Sequence, residues 1–241
     1  MRNYKLLLVS SRLAMAGLLM LGVSAEAFGV VNADRTRVIF SANDITQSLN
    51  LSNDGETPVM IQVWTDAGNP LVPPDKVSTP VIVTPPVFRM LPKEMRSLRL
   101  LLTSRQALPG DRESVFWLNI FQIQPENGQI QQQEQKIMLP LRFRMKVFIR
   151  PAGLGAPDAR EYQKLRFTAR GSWLILQNPT TWNISLNIQI PGHHPLNNLM
   201  VSPRAERTVS LDKPASPGEV LTYSVITDDG NYREYQAAIQ K

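Results

Sequence analysis

Apolar and polar positions alternate along most of this chain in short runs. They appear at Thr36 to Phe40, at Ser48 to Ser52 (with Leu49 and Leu51 on one face), and at Val59 to Trp64 after the turn Asn53-Asp54-Gly55. Further runs are Pro80 to Thr84, Ser97 to Leu102, Val115 to Ile123 and, longest of all, Ile137 to Ile149. Each is bounded by Pro, Gly, Asn or Asp, as strand ends usually are. No stretch of comparable length carries a 3.6-residue apolar period, so the pattern predicts an all-β protein. Seven runs over about 120 residues have the spacing of an immunoglobulin-like sandwich. The segment Pro151-Ala152-Gly153-Leu154-Gly155-Ala156-Pro157 then interrupts the pattern and reads as a hinge. Beyond it, runs resume at Leu165 to Phe167, Trp173 to Gln177, Ile184 to Ile190, Thr208 to Leu211, Leu221 to Ile226 and Tyr235 to Ile239. The expected organisation is an N-terminal immunoglobulin-like domain of residues 28–150, a hinge at 151–157 and a second, smaller β-domain at 158–241. A single continuous sandwich is the competing arrangement.

The first 27 residues read as a secretory signal, with Arg2, Lys5 and Arg12 around and before the apolar run Leu13 to Val23, then Ala25-Glu26-Ala27 as a small-x-small cleavage site. That run is short for a membrane span. A soluble exported protein beginning at Phe28 is expected, with no membrane insertion of the mature chain. Removing the leader leaves 23 basic and 19 acidic residues, a net charge of +4. This is too mild and too dispersed to indicate nucleic acid. The chain has no cysteine, which excludes disulfides, thiol catalysis and thiolate metal sites. Its two histidines, His193 and His194, are adjacent in a turn-like segment and offer no metal cluster. No nucleophile motif or glycine-rich nucleotide loop is present, so neither an enzyme nor a cofactor is expected.

Most of the chemistry lies in Ile137 to Pro151. In a strand, Ile137, Leu139, Leu141, Phe143, Met145 and Val147 share one face, and Met138, Pro140, Arg142, Arg144 and Lys146 the other. Pro140 cannot donate to a ladder, which places this segment at a sheet edge or bulge. An edge strand with one apolar and one basic row is a template for an incoming strand. It is equally the pattern of a terminal strand packed on its own core with its basic row in water.

The order of local sequences resembles that of the periplasmic pilus (fimbrial) chaperones. The matching stretches are Asp34-Arg35-Thr36-Arg37-Val38-Ile39-Phe40, Thr84-Pro85-Pro86-Val87-Phe88-Arg89-Met90, Leu108 to Asn119, and Lys146-Val147-Phe148-Ile149-Arg150-Pro151. In the second half they are Asn178-Pro179-Thr180, Ser202-Pro203-Arg204 and Ile226-Thr227-Asp228-Asp229-Gly230. The resemblance implies two immunoglobulin-like β-sandwich domains in an L, or boomerang, around an interdomain cleft. It implies binding of pilus subunits that lack their last strand, donation of the long edge strand, and delivery to an outer-membrane usher. It places the cleft cations on Arg37 and Lys146, the donor residues on Ile137, Leu139, Leu141 and Phe143, and an interdomain charge network on Glu113, Arg150 and Asp228. The 12-residue segment Pro125 to Lys136 resembles the short-loop branch of the family. Without a disulfide, the second domain is expected to rest on a core of Trp173, Leu174, Leu176, Ile184, Leu186 and Ile188. Self-association of the client-free chain would shield the exposed strand. The rival function is an exported adhesion or structural module that stays in a surface assembly.

Overall fold

The computed structural model describes residues 31–123 and 140–241. The leader, Phe28, the segment Pro125 to Lys136, and the expected donor residues Ile137 and Leu139 lie outside the described residues.

The first domain is a sandwich of two sheets. One has the order β1-β3-β7-β5, from Val31–Ala33, Thr46–Asn53, Met95–Leu102 and Val81–Thr84. The other has the order β2-β9-β8-β4-β6, from Arg37–Phe40, Leu141–Ile149, Ser114–Ile123, Val59–Asp66 and Val87–Met90. The period-2 rows meet between the sheets. Leu49, Leu51, Leu98 and Leu100 from one sheet face Val38, Phe40, Ile61, Leu118, Ile120 and Val147 from the other, all buried. Each such side chain contributes about 1.5–3 kcal/mol on leaving water.

The second domain has its own core. Its sheets are β10-β11-β14 (Arg166–Arg170, Trp173–Asn178, Ala205–Ser210) and β13-β12-β15-β16 (Leu196–Val201, Ile184–Gln189, Val220–Ile226, Tyr232–Ala238). Phe167, Leu174, Leu176, Leu186, Leu221 and Val225 are fully buried there. Trp173, expected in this core, is instead 54% exposed: Leu174 and Leu176 take the inner face of β11, and alternation turns Trp173 outward. Aromatic packing adds to the apolar core, with Tyr223 stacked on Tyr235 at 5.5 Å and tilted against Phe167 at 5.1 Å. A single helical turn, α1 (Ala159–Tyr162), precedes this domain. Asp158 caps it, accepting hydrogen bonds from the backbone amides of Arg160 (2.8 Å) and Glu161 (3.1 Å), and the turn delivers Tyr162 into the second core.

The connection between the domains is tied at both ends. The amide of Arg150 donates to Phe40 O (2.9 Å), and Trp182 Nε1 donates to Gly155 O (2.9 Å). Arg105 braces the same corner, donating to the carbonyls of Arg150 (2.8 Å) and Asp44 (2.9 Å).

One asymmetry positions everything that follows. Strand β9 pairs with β8 along its whole length, from Leu141↔Gln122 to Ile149↔Ser114. On its other side it pairs with β2, in parallel, only from Lys146 to Ile149. Among the described residues, the stretch 141–145 therefore has a neighbour on one side only.

Candidate functional site

Where the β2–β9 pairing begins, Arg37 and Lys146 are direct register partners, so their side chains emerge together on the outer face of the sheet. Arg37 Nη1 donates to Ile226 O (3.0 Å), and Lys146 Nζ donates to Ser185 Oγ (2.9 Å), both in the second domain. The pair therefore sits in the cleft between the domains. A cavity of about 320 Å³ opens beside it, between residues 34–37 and the Asp228–Asp229 turn. Neither cation has a carboxylate at ion-pair distance among the described residues. Burial, then the nearby Arg37 and Arg207, pulls the Lys146 ammonium down to about 8. Burial also lowers Arg37, against the pull of Asp228. Arg207 belongs to the same neighbourhood: its Nη1 donates to Met200 O (3.1 Å), and Met200 is the register partner of Ser185. The cleft is a place of concentrated, poorly solvated positive charge, suited to an anionic group.

Leading away from this pair, the apolar row of β9 passes gradually from core to surface. Val147 and Met145 are buried, Phe143 is partly buried against the core of its own domain, and Leu141 is 44% exposed. Pro140 precedes the strand and takes no part in its ladder.

The basic row on the opposite face does not stand free in water, as one sequence reading had it. It lies in three rungs across β4, β8 and β9: Gln62–Phe121–Arg142, Trp64–Asn119–Arg144 and Asp66–Trp117–Lys146. Arg142 donates to Asn119 Oδ1 through Nε (3.0 Å) and Nη2 (2.6 Å), and to Pro70 O through Nη1 (2.7 Å). Arg144 donates to Asn119 Oδ1 through Nε (3.1 Å) and to Asp66 Oδ1 through Nη2 (2.6 Å). Asn119 Nδ2 in turn donates to Asp66 Oδ2 (2.6 Å). Arg142 lies over the Trp64 ring at 4.8 Å, and Arg144 and Lys146 over Trp117 at 4.6 and 5.4 Å. Sequence reasoning missed Asp66, Asn119, Trp64 and Trp117. The signal was available: alternation in Gln62–Asp66 and Trp117–Phe121 puts one polar and aromatic row outward on each strand.

The three charges expected at the domain joint come together. Arg150 Nε donates to Glu113 Oε2 (2.8 Å), while Nη1 and Nη2 form a fork on Asp228 (2.7 Å each). Burial pushes the Glu113 carboxyl up, opposed by Arg150 and by hydrogen bonds from Asn183. For Arg150, burial is outweighed by the bonds to Asp228 and the charge of Glu113, and its pKa is raised. Asn183 of the second domain was not singled out in the sequence; its backbone amide (3.0 Å) and Nδ2 (3.1 Å) both donate to Glu113 Oε1.

At the same joint Gly230 has φ +84°, and a Cβ there would lie 2.6 Å from Thr36 Oγ1. Gly230→Ala therefore meets both a left-handed backbone and a neighbouring side chain of the other domain. It is expected to lower stability by about 1–3 kcal/mol and to change the interdomain angle, read by thermal melting and small-angle scattering. A melt and scattering curve identical to those of the parent would show that the joint does not depend on this contact.

His193 and His194 both face Asp212, at different depths. His193 is buried with Nδ1 2.8 Å from Asp212 Oδ1, while His194 is exposed with Nε2 3.9 Å from the same carboxylate.

Two family models match the chain: "Pili and flagellar-assembly chaperone, PapD N-terminal domain" over residues 30–155, and "Pili assembly chaperone PapD, C-terminal domain" over residues 160–237. Among curated relatives, the chaperone protein MrkB of Klebsiella pneumoniae is 35% identical over 223 residues, covering 91% of this chain and 95% of the relative. The chaperone protein FimC of Escherichia coli K12 is 34% identical over 220 residues, covering 90% and 88%. Among solved structures, a chain in the complex of Salmonella enterica SafA pilin with the SafB chaperone superimposes with a TM-score of 0.74 at 28% identity, covering 90% of this chain and 99% of that one.

Proposed function

The chain belongs to the PapD family of pilus-assembly chaperones, a family of chaperones and not of enzymes, and from that premise we propose how its own residues bind a client. The client is a pilus subunit whose sandwich lacks its closing strand. Strand β9 supplies that strand through its open side at 141–145, and Ile137 and Leu139, which precede it in the chain, serve as further donor residues. Leu141 enters the client's groove, while Phe143 bridges the client and the chaperone's own core. Arg37 and Lys146 hold the client's terminal carboxylate, with charge-assisted hydrogen bonds worth about 1.5–3 kcal/mol each. A client strand whose end lies at Lys146 runs parallel to β9 and continues the line of β2. Glu113, Arg150 and Asp228 hold the two sandwiches around this cleft.

The chain acts in the periplasm after loss of its leader at residues 1–27. Its subunit-binding domain is 28–150, joined by the hinge 151–157 to the C-terminal domain 158–241, and it passes its client to an outer-membrane usher. It needs no metal or other cofactor and binds no nucleic acid. Without a client, the open strand edge favours self-association.

The observation that carries this reading is that, among the described residues, the open half of β9 ends at two cations without a carboxylate at ion-pair distance. Co-expression with a subunit, followed by periplasmic purification, tests it. A soluble one-to-one complex is expected, absent from the finished fibre. Leu141→Ser is expected to weaken the complex by on the order of 10- to 100-fold, the loss of one buried apolar side chain of this size. Retention of the protein in the fibre, or a complex indifferent to Leu141→Ser, would overturn the reading.

A further inference from the structure

We propose that Asp66 and Asn119 are positioning residues that hold the open half of β9 extended before any client arrives. The proposal rests on the reading of β9 as the donated strand. Among the described residues, 141–145 have a strand neighbour on one side only, and such a half-paired edge is where a sheet ordinarily opens first. Here it is fixed through its outer face instead. Two arginines place three N–H groups on one amide oxygen of Asn119, and Arg144 places a fourth on Asp66.

Both receivers are rigid. Asn119 is fully buried and Asp66 is 1% exposed, and the Asp66 carboxylate is itself fixed by Asn119 Nδ2 and by the amide of Gly68 (2.6 Å each). Stacking on Trp64 and Trp117 fixes the guanidinium planes. With the outer side chains pinned, alternation aims Leu141 and Phe143 at the opposite face, where a client's groove would lie. A strand already extended gives up less freedom on binding, so client affinity depends on a cluster that the client need never touch.

The test uses the full chain. Asn119→Ala removes the shared acceptor, and Arg142→Met/Arg144→Gln removes the fork from the strand side without emptying a buried position. In the client-free protein, hydrogen exchange at the β8-bonded amides of 141–145 is expected to rise by on the order of tenfold or more, with 146–149 and the second domain unchanged. Client affinity is expected to fall by about tenfold. If Asn119→Ala loosens the whole domain, the arginine double variant decides. Exchange at 141–145 equal to the parent's in that variant, or raised exchange with undiminished client binding, would overturn the positioning role. If Lys146→Ala loses the client while the arginine variant keeps it, the donor-strand reading stands and this one falls. A parent chain that takes no subunit overturns both.

Discussion

Lys146→Ala is expected to abolish recovery of a subunit complex and at the same time to stabilise the client-free protein. Both effects follow from one cation held in the cleft without a carboxylate at ion-pair distance among the described residues. Burial, then Arg37 and Arg207, brings Lys146 from the ordinary 10.5 down to about 8. An unfolded chain keeps its proton up to the ordinary value, so between the two the unfolded state binds more protons. Stability of the parent is therefore expected to rise as pH climbs from about 8 to about 10.5, and the cost of the buried cation is fully present below that window. Lys146→Ala removes this cost, and its melting temperature is expected to rise by a few degrees near neutral pH.

Binding has the opposite sign. A carboxylate arriving beside Lys146 raises its pKa, so the complex holds a proton that the free cleft has released above pH 8. Client affinity is expected to be flat below about pH 8 and to fall by up to about tenfold per pH unit above it. Lys146→Arg, which keeps its charge, should lose this fall. Titration calorimetry with a subunit between about pH 7 and 9, beside thermal melts of both variants, checks the scheme. An affinity constant across that range in the parent chain would remove Lys146 from the anchor.

Arg150→Ala is expected to be the most damaging single change to the domain joint. The guanidinium serves two acids at once, with Glu113 almost wholly enclosed (1% side-chain exposure) and Asp228 partly open (32%). Truncation leaves an enclosed carboxylate without its counter-charge, a loss of about 3–5 kcal/mol. For a chain of this size the melting temperature should drop by on the order of 10 °C. Burial already pushes Glu113 up, so in the variant it takes a proton more readily, and the deficit should narrow as pH falls. Arg150→Lys should recover little, because one ammonium cannot reproduce the fork on Asp228 and the bond to Glu113 together. Adding Glu113→Gln to Arg150→Ala should restore part of the loss. A melt within a degree or two of the parent's would mean that the joint is held by other contacts.

How far the sequence could be read depended on the range of the interactions. β3, β4 and β7 were legible because their buried rows alternate through most of their eight residues, and β8 because apolar side chains run through most of its ten, although Leu118 to Ile120 are buried without a break. β1 has three residues, too few for a period. β6 has four residues directly after Thr84-Pro85-Pro86, too few to show a period. β13 contains Asn198 at φ +57° and a register shift against Leu186 and Ile188, which disturbs its alternation. At the joint, Glu113, Arg150 and Asp228 lie far apart in the chain and were brought together on paper only by resemblance. Asn183, which donates to Glu113, and Ser185, which accepts from Lys146 in the cleft, carry no local signal. The basic row was visible as a row, but its acceptors come from two other strands, so nothing in 137–151 could reveal that it was bound.

The short reach of β2 along β9 also makes the cleft a ruler. Arg37 is the first residue of β2, so with the anchor proposed above a guest strand lying end to end with β2 would stop there, its residues counted backward from Lys146. Side chains alternate, so gaining or losing one residue between Leu141 and Lys146 would exchange the inner and outer rows in everything upstream. The length of that interval can therefore change only in steps of two residues if the rows are to keep their faces.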